Sequence, residues 1–441
     1  MLLSSLVDRI PLQRRAEVQP EARRESDPET VAGLLRHLVA VPDHRQVAWV
    51  DHPVAAVLAL CAAAVVAGMR SFTAIAGWVA DVPAVQLACA YAGSAASVPD
   101  RGPSKSTIWR VLSGVDAVAL DAAIGGWLVD QAHAESTVRD PSDPVQAEKA
   151  PGDGQGADPA PPADPPASPG PGPMQGVAIA ADGKTCRGAK NRDGQQVHLL
   201  SAMTHQRGLV LAQTDVGAKT NEVPRLKDLL TGLSGRVDLR GAILTVDALH
   251  TVRETARWLH EQGLEFVMTV KQNIPTLFAA LDALPWDDVP IGHASTERGH
   301  GRITRRTIQT LPAPADLPFP HVGQAFLIER SVTDLGGANL SNIAALGVAS
   351  LTPDRADPAR LAALVQGHWG IESLHWIRDS VYREDHSTAR TRSGPRAMAS
   401  LRNLAISAHR LIGRTDIAEA TRWAGRNMTR PFQILNLDHK S

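Results

Sequence analysis

GVAIAADGKTCRGAKNRDGQQVHLLSAMTHQRGLVLAQTDV, residues 176–216, is the stretch on which the fold turns. VAIAAD, HLLSAMTH and LVLAQTDV are short apolar runs separated by the polar turns NRDGQQ and HQRG, which predicts three successive strands. The period then changes. EVPRLKDLLTGL reads as a helix, GAILTVDA as a buried strand, VRETARWLHEQG as a helix and EFVMTVK as a strand. Three strands followed by alternating helix and strand predict an α/β sheet of mixed direction.

Working outward, the chain between about 285 and 352 returns to short strand-like pieces (TRRTIQTL, QAFLIERSV, AALGVASL), a β-rich insertion. From Asp357 the pattern is helical again, through ARLAALVQGHWGIESLHWIRDSVY and RAMASLRNLAISAHRLI. Upstream, residues 135–173 are crowded with Pro, Ala, Gly and Asp and cannot bury enough apolar surface to offset chain entropy, so they read as a linker. Residues 31–134 are rich in Ala and Leu with helical periodicity, an all-α module. Residues 1–30 form a charged, weakly patterned arm, the core spans 174–415, and 416–441 reads as a basic tail.

At 441 residues the chain is long enough for more than one domain, and its net charge of −1 excludes a protein that binds nucleic acid by bulk charge alone. Any such surface must come from local Arg clusters. Cys61, Cys89 and Cys186 are widely spaced, with no zinc or disulfide pattern, which fits a reducing cytoplasm. The N-terminus lacks the sustained apolar core of a secretory signal. The apolar run from Val54 to Gly68 falls short of the roughly 20 residues a bilayer span needs and reads as a buried helix. No membrane association is expected.

Three carboxylates stand out. Asp182 and Asp247 each follow a short apolar strand, VAIAA and AILTV, and carboxylates at neighbouring strand ends can converge on a hard cation such as Mg²⁺. The bland alternative, a turn or helix cap, is the commoner role for either Asp alone. Glu372 is more unusual. In HWGIESLHW, residues 368–376, helical spacing flanks it with His368 and Trp369 on one side and His375 and Trp376 on the other. The rival account makes Trp369 and Trp376 core anchors and Glu372 a solvated neighbour. Glu372 and His375 also have the Glu-x-x-His spacing of di-iron bundles, but no second such pair exists, and there is no HExxH, Walker loop or GxSxG.

With ADGKTCRGA around Asp182, TVDALHT around Asp247, FVMTVKQN (266–273), HGRITRR (300–306) and HWGIESLHWIRDSVYRED (368–385) in this order, the chain resembles insertion-sequence DDE transposases of the ISAs type, the group of the H-repeat-associated proteins. HPVAAVLAL, GMRSFTAIAGWVAD and PSKSTIWRVL resemble the helical module associated with that family. The resemblance implies an RNase H-like catalytic core whose β-rich insertion lies between the second Asp and the Glu helix. It also implies that Asp182, Asp247 and Glu372 hold two Mg²⁺ (or Mn²⁺) ions for strand cleavage and strand transfer on DNA. The implied partners are double-stranded DNA, as element terminal repeats and target, and a second copy of the chain on paired ends, in a nucleoid-associated, cytoplasmic setting. Two other functions stay open at this point: a catalytically silent, transposase-derived DNA-binding protein, and a nuclease that only hydrolyses.

Candidate DNA contacts are Lys184, Arg187 and Lys271 beside the Asp strands, Arg302 in the basic segment 298–306, and His368, Trp369, His375 and Trp376 around the Glu. The Arg residues from Arg390 to Arg430 read equally as phosphate contacts or as a solvated helix face. PSKSTIWRVL suits a helix entering a DNA groove, or a capped packing helix.

Overall fold

A computed structural model of the chain describes residues 33–45, 50–94, 96–136, 174–190, 196–217, 222–299 and 301–438. The N-terminal arm, nearly all of the Pro-rich stretch and the turn at 191–195 lie outside the described residues.

The strands form one nine-stranded sheet ordered β3-β2-β1-β4-β5-β9-β8-β7-β6. β1 (Ala178–Lys190), β2 (Gln196–Thr204) and β3 (Val210–Asp215) are an antiparallel meander. β4 (Ile243–Val246) lies parallel to β1, and β5 (Glu265–Val270) parallel to β4. The parallel strands are short and apolar because both faces are covered, so Ile243–Val246 is buried at every position. Helices α7 (Glu222–Ser234) and α8 (Arg253–Glu261) make the crossovers, and α9 (Pro275–Asp282) follows β5. This antiparallel meander followed by parallel strands is an RNase H-like core.

The β-rich insertion is β6 (His293–Gly299), β7 (Arg302–Pro312), β8 (Gln324–Asp334) and β9 (Asn339–Ala349), an antiparallel meander. It is no separate body: β9 pairs with β5 from Val267↔Ala349 to Val270↔Leu346 and extends the core sheet. β6 is polar and exposed at most positions, as an edge strand can be.

Before the sheet come α1 (Gly33–Leu38), α2 (Val54–Val66), α3 (Phe72–Ala80), α4 (Ala84–Ala90), α5 (Lys105–Gly114) and α6 (Ala117–Ser136). After it come α10 (Pro358–Ser380), α11 (Gly394–Leu411), α12 (Ile417–Gly425) and α13 (Thr429–Ile434). α2 is apolar on every face and accordingly buried at every residue, enclosed by helices from both ends of the chain. No single described helix is long and apolar enough to cross a membrane. α11 packs on α2, α5 and α6, and His409 at its end donates to the Val66 carbonyl, 3.0 Å away, satisfying an acceptor that the end of α2 leaves open. α6 lies against β3, close enough that a Cβ on Gly125 would stand 2.2 Å from the Leu211 carbonyl oxygen.

The segment read as a basic tail is helical and folds back on this layer: α12 and α13 both touch α2, and Leu34 N–H donates to Leu435 O at 3.2 Å. Several of the arginines between Arg390 and Arg430 are engaged within the protein. Arg396 pairs with buried Asp121 at 2.9 Å, Arg410 donates to Gly208 O at 2.6 Å, and Arg414 and Arg430 flank the Trp423 ring at 3.8 and 4.4 Å.

A fully buried charged contact joins α10 to α11. Glu384, in the turn between them, accepts from Arg378 at 2.9 Å and from Arg402 at 2.8 Å, and all three side chains are buried. Burial alone would raise the Glu384 carboxyl, but the two guanidiniums outweigh it and hold it at about 2. Because the folded value lies below the ordinary 4.5, the carboxylate's contribution is full above that pH and is lost as pH falls towards 2. Glu384→Gln should therefore cost about 3–5 kcal/mol at neutral pH, as expected for a broken buried ion pair. In urea unfolding its deficit against wild type should shrink steadily below pH 4.5.

Candidate active site

β1 and β4 run parallel in the register Ala181↔Val246, so the next residues, Asp182 and Asp247, leave adjacent strands at the same level. β4 ends there. β1 does not: it continues past Asp182 to Lys190 on its antiparallel partner β2, a correction to the reading of Asp182 as a strand end. Asp247 fulfils the bland role as well, because its Oδ1 accepts from Leu249 N at 3.0 Å and caps the short turn of helix 248–250. Asp182 Oδ1 accepts from Gly183 N at 2.8 Å.

α10 lies across both strands and is fixed by two imidazoles. His368 Nδ1 stands 3.1 Å from the Thr245 hydroxyl on β4, which His205 also reaches at 2.8 Å. His375 Nδ1 stands 3.5 Å from Asp182 Oδ2. Glu372, between these histidines, is exposed, while Ile371, Leu374 and Ile377 on the opposite face are buried. The helix thus sets His368 and His375 on the strands and leaves Glu372, on the same side of the helix, exposed beside the two Asp strands.

The electrostatics agree with that placement. Burial, and then the negative charges of Asp247, Glu222 and Glu372, raise the Asp182 carboxyl to about 6 despite the Gly183 N–H. Burial, with Arg378 and Lys184 nearby, lowers the His375 imidazole to about 3, and burial with His368 lowers His205 to about 4. The histidines are therefore neutral at pH 7 and do not offset the carboxylates. Oxygen donors of this kind suit a hard divalent cation. Among the described residues, no three His, Cys, Asp or Glu side chains close tightly enough to grip an ion as they stand.

Glu222, the first residue of α7, escaped the sequence reading. It is buried, with Oε1 2.6 Å from His198 Nε2 and Oε2 3.5 Å from His250 Nε2. Burial would raise this carboxyl, but the bonds to His198 and then His250 hold it at about 2. His198 in turn meets the Thr185 hydroxyl at 2.8 Å. A Glu at a helix start ordinarily complements the helix dipole at the surface, so nothing local marked it. Lone histidines in apolar strands are similarly silent.

The remaining candidates divide. Lys184 is buried and pairs with Asp379 at 2.6 Å, so its ammonium is not open to a phosphate. Arg187 is exposed and leans on Asp385 at 3.7 Å. Lys271, after β5, and Arg302, on the β6–β7 hairpin, are exposed. Trp369 is half-buried under Arg306 and Arg330 of the insertion, at 5.4 and 5.7 Å, which makes it a docking anchor. Trp376 is 67% exposed and is no anchor.

A family described as Transposase DDE domain matches residues 171–408. The chain belongs to this family. A DDE_Tnp_1-associated family matches residues 35–128. The chain is 24% identical over 397 residues to "Putative transposase YncI" of Escherichia coli O157:H7, covering 86% of this chain and 87% of that one. It is 23% identical over 397 residues to "H repeat-associated putative transposase YhhI" of E. coli K12, covering 85% and 89%. Among solved structures, a piggyBac transposase synaptic complex with hairpin DNA is 14% identical with a TM-score of 0.33, covering 61% of this chain and 55% of that one.

Gly183 supplies a test of the cluster behind Asp182. A Cβ there would stand 2.6 Å from His198 Nε2 and 2.9 Å from Glu222 Cδ. Gly183→Ala should destabilise by about 1–3 kcal/mol through overpacking. In a Glu222→Ala background, chemical unfolding should show that penalty reduced, as residues in contact require.

Proposed function

We propose that the chain is an insertion-sequence transposase that cleaves DNA strands at the element ends and joins them to target DNA. The observation carrying this reading is the convergence of Asp182 and Asp247 from paired strands under a helix whose His368 and His375 are docked on those strands, with Glu372 between them. Mg²⁺ or Mn²⁺, as two ions held by Asp182, Asp247 and Glu372, would activate water or a 3′-hydroxyl and stabilise the leaving oxygen.

The chain's own residues account for the rest. His368 and His375 stay uncharged and orient α10, so the negative charge of the three carboxylates remains available to cations. His198, Glu222 and His250 brace β1, β2 and the turn after β4 from behind, fixing where Asp182 and Asp247 emerge. Fixed donors in the right place cost no reorganisation during the reaction, which is where most of the rate in phosphoryl transfer arises. Trp376 presents an exposed ring one helical turn beyond Glu372, suited to stack a base beside the cut. Lys271 and Arg302 are placed for phosphates. A second copy of the chain would carry the other element end.

The test is cleavage of a duplex bearing the DNA sequences that flank the gene, with Mg²⁺, by wild type and by Glu372→Ala. Wild type should cut at the element boundary and yield joined products with a target duplex, and the variant should lose at least about a thousandfold in rate. Cutting without joining would assign a hydrolytic nuclease. Binding without cutting by either protein would assign a silent DNA-binding descendant.

A further inference from the structure

We propose that a cleft between the helical layer and the loop after α10 is a second DNA-contact site, gripping a strand that leads away from the carboxylates. The inference rests on the transposase reading above and adds a surface to it.

The cleft encloses about 710 Å³. One wall is the start of α3 and of α5, with Ser71, Thr73, Lys105 and Trp109. The other is the loop carrying Thr388 and Arg390. Its lining contains no carboxylate, in a chain whose Asp and Glu outnumber its Lys and Arg, 46 to 45. Lys105 and Arg390 are both exposed, and neither forms an ion pair with a described residue. Trp109 is 44% exposed, although α5 has a well-buried face of Ile108, Val111 and Leu112 that could have taken an apolar ring. Its indole therefore faces outward at a cleft rimmed by cations and hydroxyls. That combination suits a nucleic-acid strand, whose phosphates need cations and whose bases or sugars need an aromatic face. An acidic peptide would use the cations but not require the ring.

The place of the cleft supports the same occupant. Thr388 and Arg390 follow closely on Asp385, which accepts from Arg187 N at 3.1 Å and lies 4.0 Å from Lys184 Nζ. Both of those residues are on β1 just past Asp182. The loop forming one wall of the cleft is thus anchored to the strand that carries the first carboxylate, so a strand leaving the cut site would have a fixed path to it.

The experiment measures binding of a fluorescently labelled end duplex by anisotropy across a salt series, together with cleavage of the same duplex. The proteins are wild type, Lys105→Glu/Arg390→Glu, Trp109→Ala, and Arg225→Glu as a charge control on the exposed face of α7. Thermal melts establish that each is folded. The double variant should bind at least tenfold more weakly, with a salt slope reduced by about two, one for each lost phosphate contact. Trp109→Ala should weaken binding with an unchanged slope, and the control should stay within twofold of wild type. Wild-type cleavage with unchanged binding by the cleft variants would overturn the site while leaving the transposase reading intact. So would an equal loss in the control, or a loss at the cations with none at Trp109, because the site as proposed needs the aromatic face as well as the charges. Cleft-dependent binding without cleavage by wild type would uphold the site and overturn the activity. No DNA binding by wild type would overturn both.

Discussion

Glu384 is buried in the turn between α10 and α11, and two guanidiniums share its charge. A carboxylate cannot stay ionised in such a place unless it is paired, and here each oxygen meets a different guanidinium. Arg378 comes from α10 and Arg402 from α11, so the two helices cannot slide past one another without exposing a buried charge. Arg378 also reaches the Cys186 sulfur on β1 at 3.7 Å. This contact ties the helix that carries Glu372 to α11, which packs on the N-terminal helices.

Charge is distributed differently at the carboxylates. Around Glu384 every negative charge has a positive partner. Around Asp182 the His375 imidazole is neutral and Lys184 is held by Asp379, and burial first, then the neighbouring carboxylates, raises the Asp182 carboxyl. The two sites are a few residues apart along β1 and α10, and they differ in how far their negative charge is matched by positive side chains.

Much of this was legible in the residues. The strands around Asp182 and Asp247 are short apolar runs bounded by turn residues, and these signals act locally. The helix around Glu372 showed its face through the paired His-Trp spacing. The family resemblance carried the nature of the core and its insertion. What could not be read depends on contacts far apart in the chain. Glu222 looked like an ordinary helix start, because His198 and His250 meet it only in the folded sheet. Trp369 and Trp376 looked equivalent, and only the insertion packing on one of them, through Arg306 and Arg330, made them different. β6 was missed because an exposed edge strand has little apolar alternation to display. The arginines after α10 have no sequence signal that tells a buried partner from an open one.

Leu34 and Leu435 share a backbone hydrogen bond, and α2 is enclosed by helices from before and after the sheet. On the ribosome these helices emerge in the reverse of the convenient order. α2, apolar on all faces, is made before the sheet, and α11 to α13 after it. The N-terminal layer therefore has no complete partner surface until those three helices have been made. A truncated product lacking the last helices would carry an uncovered hydrophobic helix, the condition that invites aggregation and proteolysis. Synthesis through α13 is in this way a precondition for a folded helical layer, and fragments that stop before it are poor sources of a stable N-terminal module.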